Sequence, residues 1–168
     1  MRMRKMRKNT PKKIRRPGRL AVQRAVAAAP SIALLRKFAL AALETSASAR
    51  ATITVRIVGT AEARKLNARF RRKKYATNVL SFAYSKGSGD IVLCHPVIAK
   101  EAREQGKTLR AHYAHLVVHG ILHLRGHDHL RGSDAARMER AEIRILRLLG
   151  FGDPYSEQAS EQGRNLRR

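Results

Sequence analysis

Residues 77–94 read TNVLSFAYSKGSGDIVLC, and the fold turns on this stretch. Residues 77–84 favour a strand, Lys86–Gly89 is turn material, and Asp90–Cys94 is a short apolar run that can pair back as a hairpin-like unit. Upstream, ATITVRIVG at 51–59 alternates Ile53, Val55 and Ile57 with Thr52, Thr54 and Arg56, the period of a strand with one buried face. Arg19–Val26 suits a further strand. Helices are expected around these runs. The first spans Pro30 to about Thr45, with Leu34, Leu35, Phe38, Ala41 and Ala42 on one side, and a short one covers 60–69. Three follow in succession: Pro96 to about Gln105, Leu109–Arg125 with Thr108 as its N-cap, and Asp134–Leu149. The expectation is an α+β fold, a small sheet of about four strands with helices collected on it.

The chain has 168 residues, one domain's worth of material. Apolar residues make up 43%, which excludes a wholly disordered chain; with aromatics at 5% and no Trp, aliphatic side chains must fill the core. Lys and Arg number 36 against 12 Asp and Glu, a net charge of +24. Such a field draws polyanions, so nucleic acid is the first partner to consider, although charge alone identifies no chemistry. Residues 1–18 are rich in cations, poor in apolar groups and carry Pro11 and Pro17. They read as a disordered basic arm that either adheres to RNA or only keeps the chain soluble. Residues 19–150 are expected to form the single domain and 151–168 a flexible tail. The lone Cys94 cannot form an intramolecular disulfide and suits a reducing, cytoplasmic setting. No apolar run is long enough to cross a bilayer, and no membrane partner is expected. The start is too densely basic for a secretory signal, while an organelle transit peptide stays open.

Five of the seven histidines fall between 115 and 129, and residues 119–129 read HGILHLRGHDH. On a helix, His119 and His123 project from the same side and can reach one ion. Gly126 permits a left-handed exit that returns the chain and brings His129 to the same point. Three neutral imidazoles suit Zn²⁺, one ion per chain, and leave a fourth position open, as in catalytic sites. The spacing H-x-x-x-H-x-x-G-x-x-H is that of the metzincin proteases, but Gly120 stands where those enzymes carry a glutamate base. The ion geometry survives this change and the peptidase mechanism does not. His115 is either a partner of a ligand or a packed core histidine; His112 is expected on the surface. His127 reads as an exposed bystander and Asp128 as a turn residue or an orienting partner.

FRRKKYATNVLSF, residues 70–82, sets four consecutive cations in a basic loop before a strand. Arg71 through Lys74 either clamp phosphates, one guanidinium stabilising developing charge, or form a solvated loop. Asn78 and Ser81 can equally serve backbone groups. Cys94, within an apolar run, reads as a small buried hydrophobe.

At these residues the chain resembles the YbeY family of bacterial single-strand-specific, metal-dependent endoribonucleases. The resemblance rests on LNARFRRKKYATNVLSF at 66–82, GDIVLC at 89–94 and AHYAHLVVHGILHLRGHDH at 111–129, and it covers roughly 50–150. It implies a small mixed sheet with five or so helices and a zinc ion on His119, His123 and His129 at the end of a central helix. It also implies a role for Arg71 in cleavage and action on ribosomal RNA, in late 16S 3′ end maturation and ribosome quality control. Partners would be single-stranded RNA and the small ribosomal subunit or its assembly factors. A non-catalytic RNA-binding assembly factor with a structural zinc is the main rival, a zinc peptidase the lesser one. The attacking group, water or ribose 2′-OH, stays open.

Overall fold

The computed structural model describes residues 19–44, 51–85, 87–126 and 132–156. The expected basic arm lies outside these residues, as do His127, Asp128 and His129. Elements run β1 (Arg19–Arg24), α1 (Ile32–Glu44), β2 (Thr52–Val58), α2 (Thr60–Arg71), β3 (Val79–Ser85), β4 (Ser88–Cys94), α3 (His95–Glu104), α4 (Leu109–Leu124) and α5 (Gly132–Leu148). The sheet order is β1-β2-β4-β3, with β1, β2 and β4 parallel and β3 antiparallel to β4. This is the mixed α+β sheet the sequence implied. The hairpin of 77–94 forms its edge, with Leu80 opposite Val92 and Phe82 opposite Asp90.

Alternation in the strands sorts side chains onto two faces. Ile53, Val55 and Ile57 of β2 and Ile91 and Leu93 of β4 join the main core with α1, α4 and α5. On the other face Leu80, Val92 and Cys94 pack with Ala63 of α2 in a smaller cluster. Burial pushes the Cys94 thiol up, as fits a small packed hydrophobe. Tyr113, Ala114, Val117, Val118, Ile121 and Leu122 are buried around most of α4, the mark of a core helix rather than a surface one. The Thr108 hydroxyl accepts from the Ala111 N–H at 3.1 Å, the expected N-cap.

Several boundaries shift by a residue or two, among them the end of β1 at Arg24 and the start of β4 at Ser88, within the expected turn; two others position the site. The loop expected from Phe70 begins later, because α2 continues through Arg71 and ends at Arg72 in the left-handed region (φ 57°). Its last turn is closed by Arg72 N–H to Ala68 O at 3.2 Å, and Asn67 Nδ2 pins the following loop at Tyr75 O at 2.8 Å. Strand β3 starts at Val79 because the Asn78 side chain accepts from the Val79 N–H at 2.6 Å and donates to Glu101 at 3.0 Å.

Gly89 marks the closest approach in the hairpin. A Cβ there would stand 2.1 Å from the Phe82 carbonyl oxygen and 2.8 Å from Leu124 Cδ2. Gly89→Ala is therefore expected to destabilise the chain by about 3 kcal/mol in urea denaturation, the upper range for overpacking; a loss below about 1 kcal/mol would contradict this packing.

Candidate metal centre and cleft

Helix α4 carries His115, His119 and His123 at successive turns, so the three rings form a stripe. Ring centroids are 6.0 Å apart for His115 and His119 and 4.6 Å for His119 and His123, edge-to-face in both cases. Gly120, one step round the helix, faces the sheet: a Cβ there would lie 2.9 Å from Ile91 Cγ2. A glutamate at that position would have to push the Ile91 side chain aside. Beyond α4, Gly126 takes φ 86°, the left-handed exit expected of it.

A cleft of about 300 Å³ opens at the β3 edge, lined by Arg71, Val79, Ser81, Ala83, His119, His123 and Leu124. Three separate segments converge there: the last turn of α2, the α4-facing side of β3, and the histidine stripe. The structure thus brings Arg71, His119 and His123 to one cavity, which Ser81 also lines. Of the cations at 71–74, it is Arg71 that lines this space; Arg72 forms the left-handed helix end. Asn78 is absent from the lining and serves the backbone and Glu101 instead.

On the other side of the histidine stripe lies Glu142 of α5, fully buried. Its Oε1 lies 2.8 Å from His119 Nδ1 and its Oε2 3.3 Å from His115 Nε2, and the Tyr155 hydroxyl donates to the same carboxylate. Desolvation would raise the Glu142 pKa, but the bonds from His115, His119 and Tyr155 outweigh it and hold the group at about 2. His115, His119 and Glu142 bring three potential ligand atoms within 4.8 Å of one another and can hold a metal ion. Sequence reasoning missed Glu142 and Tyr155. A signal for the first was there: Glu142 follows Met138 by four residues and precedes Ile145 by three, so an acid sits in the buried stripe of an otherwise amphipathic helix.

The expectation for His112 is corrected. It is 4% exposed, packed between α3 and α4 with Nε2 2.9 Å from Glu101 Oε2. A turn that lies against α3 cannot present its side chain to water, and a histidine is apolar enough to be placed there once one nitrogen is paired.

A histidine cluster able to hold a metal ion, beside an arginine-bearing cleft at the edge of a mixed α+β sheet, defines a candidate metalloenzyme. Similarity narrows the class. The family model described as Endoribonuclease YbeY matches residues 23–150, and the chain belongs to that family. The Endoribonuclease YbeY of Aromatoleum aromaticum is 52% identical over 145 residues, covering 82% of this chain and 92% of its own. That of Polynucleobacter asymbioticus is 48% identical over 139 residues, covering 80% and 87%. A solved structure from Thermotoga maritima, 23% identical, covers 84% of this chain and 93% of its own with a TM-score of 0.60, which supports the fold. Among the described residues no helix is long and apolar enough to cross a membrane.

Burial lowers the His112 pKa, with Glu101 opposing it, and burial lowers that of His95 as well. A folded-state value below the unfolded one means that the unfolded chain takes up the proton first on acidification. Stability is then full above about pH 6.5 and falls below it. With excess chelator present, the unfolding free energy should decline between about pH 7 and 5, and His112→Gln should flatten that decline by up to about 1.4 kcal/mol per pH unit. An identical slope in the variant would show that His112 is not buried in its neutral form.

Proposed function

We propose that this chain is a metal-dependent endoribonuclease specific for single-stranded RNA, acting in late 16S ribosomal RNA 3′ end maturation and in ribosome quality control. One observation carries the reading: in a chain of the YbeY family, Arg71 shares one cleft with His119 and His123. The ion is taken as zinc, one per chain, held by His119, His123 and His129, with RNA, the small ribosomal subunit and its assembly factors as partners in the cytoplasm. When bound, the ion supplies Lewis-acid chemistry at a phosphodiester, polarising an oxygen of the reacting group.

The chain's own residues do the rest. Arg71 places a delocalised, permanently charged guanidinium where negative charge gathers on phosphorus, and its planar fork suits two phosphate oxygens at once. Val79, Ala83 and Leu124 give the cleft apolar walls, which strengthen that electrostatic contact by thinning the water around it. A cleft of about 300 Å³ has the size for part of one strand, which supports a preference for unpaired RNA. The net charge of +24 gathers RNA from solution before the cleft selects it. Gly120 packs on Ile91, so the helix provides no carboxylate base there, and this weighs against a peptidase.

Cleavage of labelled single-stranded RNA should stop with chelator and return with Zn²⁺, and duplex RNA and casein should stay intact. Arg71→Ala should lower the cleavage rate roughly 10²- to 10³-fold with binding of RNA nearly unchanged. His123→Ala should abolish both metal uptake and cutting. Full RNA binding with no metal-dependent cutting by the wild type would favour the assembly-factor reading, and casein digestion the peptidase.

A further inference from the structure

Glu142 is an acid where α5 buries Met138 and Ile145, and it has no exposed surface. Such a group persists only if its oxygens are satisfied. An ionised carboxylate accepts and never donates, so each ring nitrogen within hydrogen-bond distance must carry its proton. His119 then has its hydrogen on Nδ1, 2.8 Å from Oε1, and in a neutral imidazole that leaves the lone pair on Nε2. His119 lines the cleft and Glu142 does not, so the acid reaches the ring from the side away from the cavity.

We propose that Glu142 is a positioning residue: it fixes the tautomer and ring angle of His119 so that Nε2 is presented to an ion in the cleft, and Tyr155 holds the carboxylate in turn. Tyr155 belongs to the segment after α5, and that segment is anchored. Its N–H donates to Asp153 Oδ1 at 2.9 Å, the neighbouring Pro154 carbonyl accepts from Lys107 Nζ at 3.0 Å, and Phe151 packs edge-to-face on Phe38 with centroids 5.8 Å apart. The end of the domain thus bears on a metal-facing ring through two hydrogen bonds in series. His115, 3.3 Å from both Oε2 and the Tyr155 oxygen, completes the cage and stays on the acid's side.

This inference rests on the metal site proposed above, and its test uses no RNA. The full-length protein is stripped with chelator and titrated with Co²⁺, whose visible absorption reports the number and type of ligands while chelator competition reports affinity. Glu142→Leu should raise the Kd for Co²⁺ about 10- to 100-fold, the usual effect of losing a residue that orients a ligand. Glu142→Gln keeps an oxygen for the His119 N–H and should recover much of that loss with unchanged absorption bands. Tyr155→Phe, which preserves the ring packing, should raise the Kd by roughly 3-fold. Circular dichroism and urea titration in chelator establish that each variant is folded; if the leucine variant is not, the other two decide.

An affinity within twofold of wild type in folded Glu142→Leu, or in Tyr155→Phe should the leucine variant not fold, would overturn the proposal. So would a change of the absorption bands in Glu142→Gln of the kind that accompanies loss of a ligand, which would make the carboxylate itself a ligand. A wild type that takes up no Co²⁺ would overturn the metal site and this inference together, whereas normal uptake without RNA cleavage would count against the nuclease reading alone.

Discussion

The contact between Gly120 and Ile91 sets the rotation of α4, and the geometry of the cleft follows from it. With each residue turning the helix by about 100°, fixing Gly120 toward β4 puts His119 and His123 on one flank, about 100° and 60° round from the sheet contact. His115 follows about 140° round, far enough to meet α5 and not the cleft. His119 therefore occupies the middle of the stripe, within reach of the cavity on one side and Glu142 on the other. A larger residue at 120 would press on the Ile91 side chain, and any resulting shift of α4 would carry all three rings with it. The glycine that removes a peptidase's base is thus also the residue that lets the helix lie close enough to aim its histidines.

The second determinant is that β3 is an edge strand. Its α4-facing side chains, Val79, Ser81 and Ala83, have the helix beside them and open space at the rim, so a cavity forms where a central strand would have been covered. Arg71 arrives there because α2, packed on the opposite face through Ala63, runs two residues further than its composition suggested and stops at the rim. The left-handed turn at Arg72 then sends the chain away toward Tyr75, where Asn67 catches it. A helix that ended at residue 69 would have left Arg71 on a loop, with less control over its direction.

Much of this was legible in the sequence, for identifiable reasons. Strong alternation at Ile53, Val55 and Ile57 and the Gly-rich turn before Asp90 carry their own geometric meaning, and both strands and hairpin follow from them. His119 and His123 are one helical turn apart and share a side by arithmetic alone. What was not legible depends on which elements meet. The burial of His112 requires knowing that α3 lies across that turn of α4. The pairing of Glu142 with His119 spans 23 residues, and no local period announces it. Tyr155 lies further still, in a segment whose composition resembles a tail. Local patterns specify faces; tertiary contacts decide what each face touches.

Charge gives the arrangement a further logic. Three neutral imidazoles bring no negative charge to a dication, and this chain already carries +24. A site of that kind, in a field of that sign, would hold a divalent ion poorly and a stray anion readily. In the proposed site one buried carboxylate, held ionised by three donors and one ring removed from the cleft, would offset part of the ion's charge. The cleft in front of His119 is lined by Arg71 and the edge strand, where a phosphate would arrive. Placing the acid behind the histidine would thus serve two opposed needs: a bound ion would gain a compensating charge, and an approaching polyanion would not meet that carboxylate on its path.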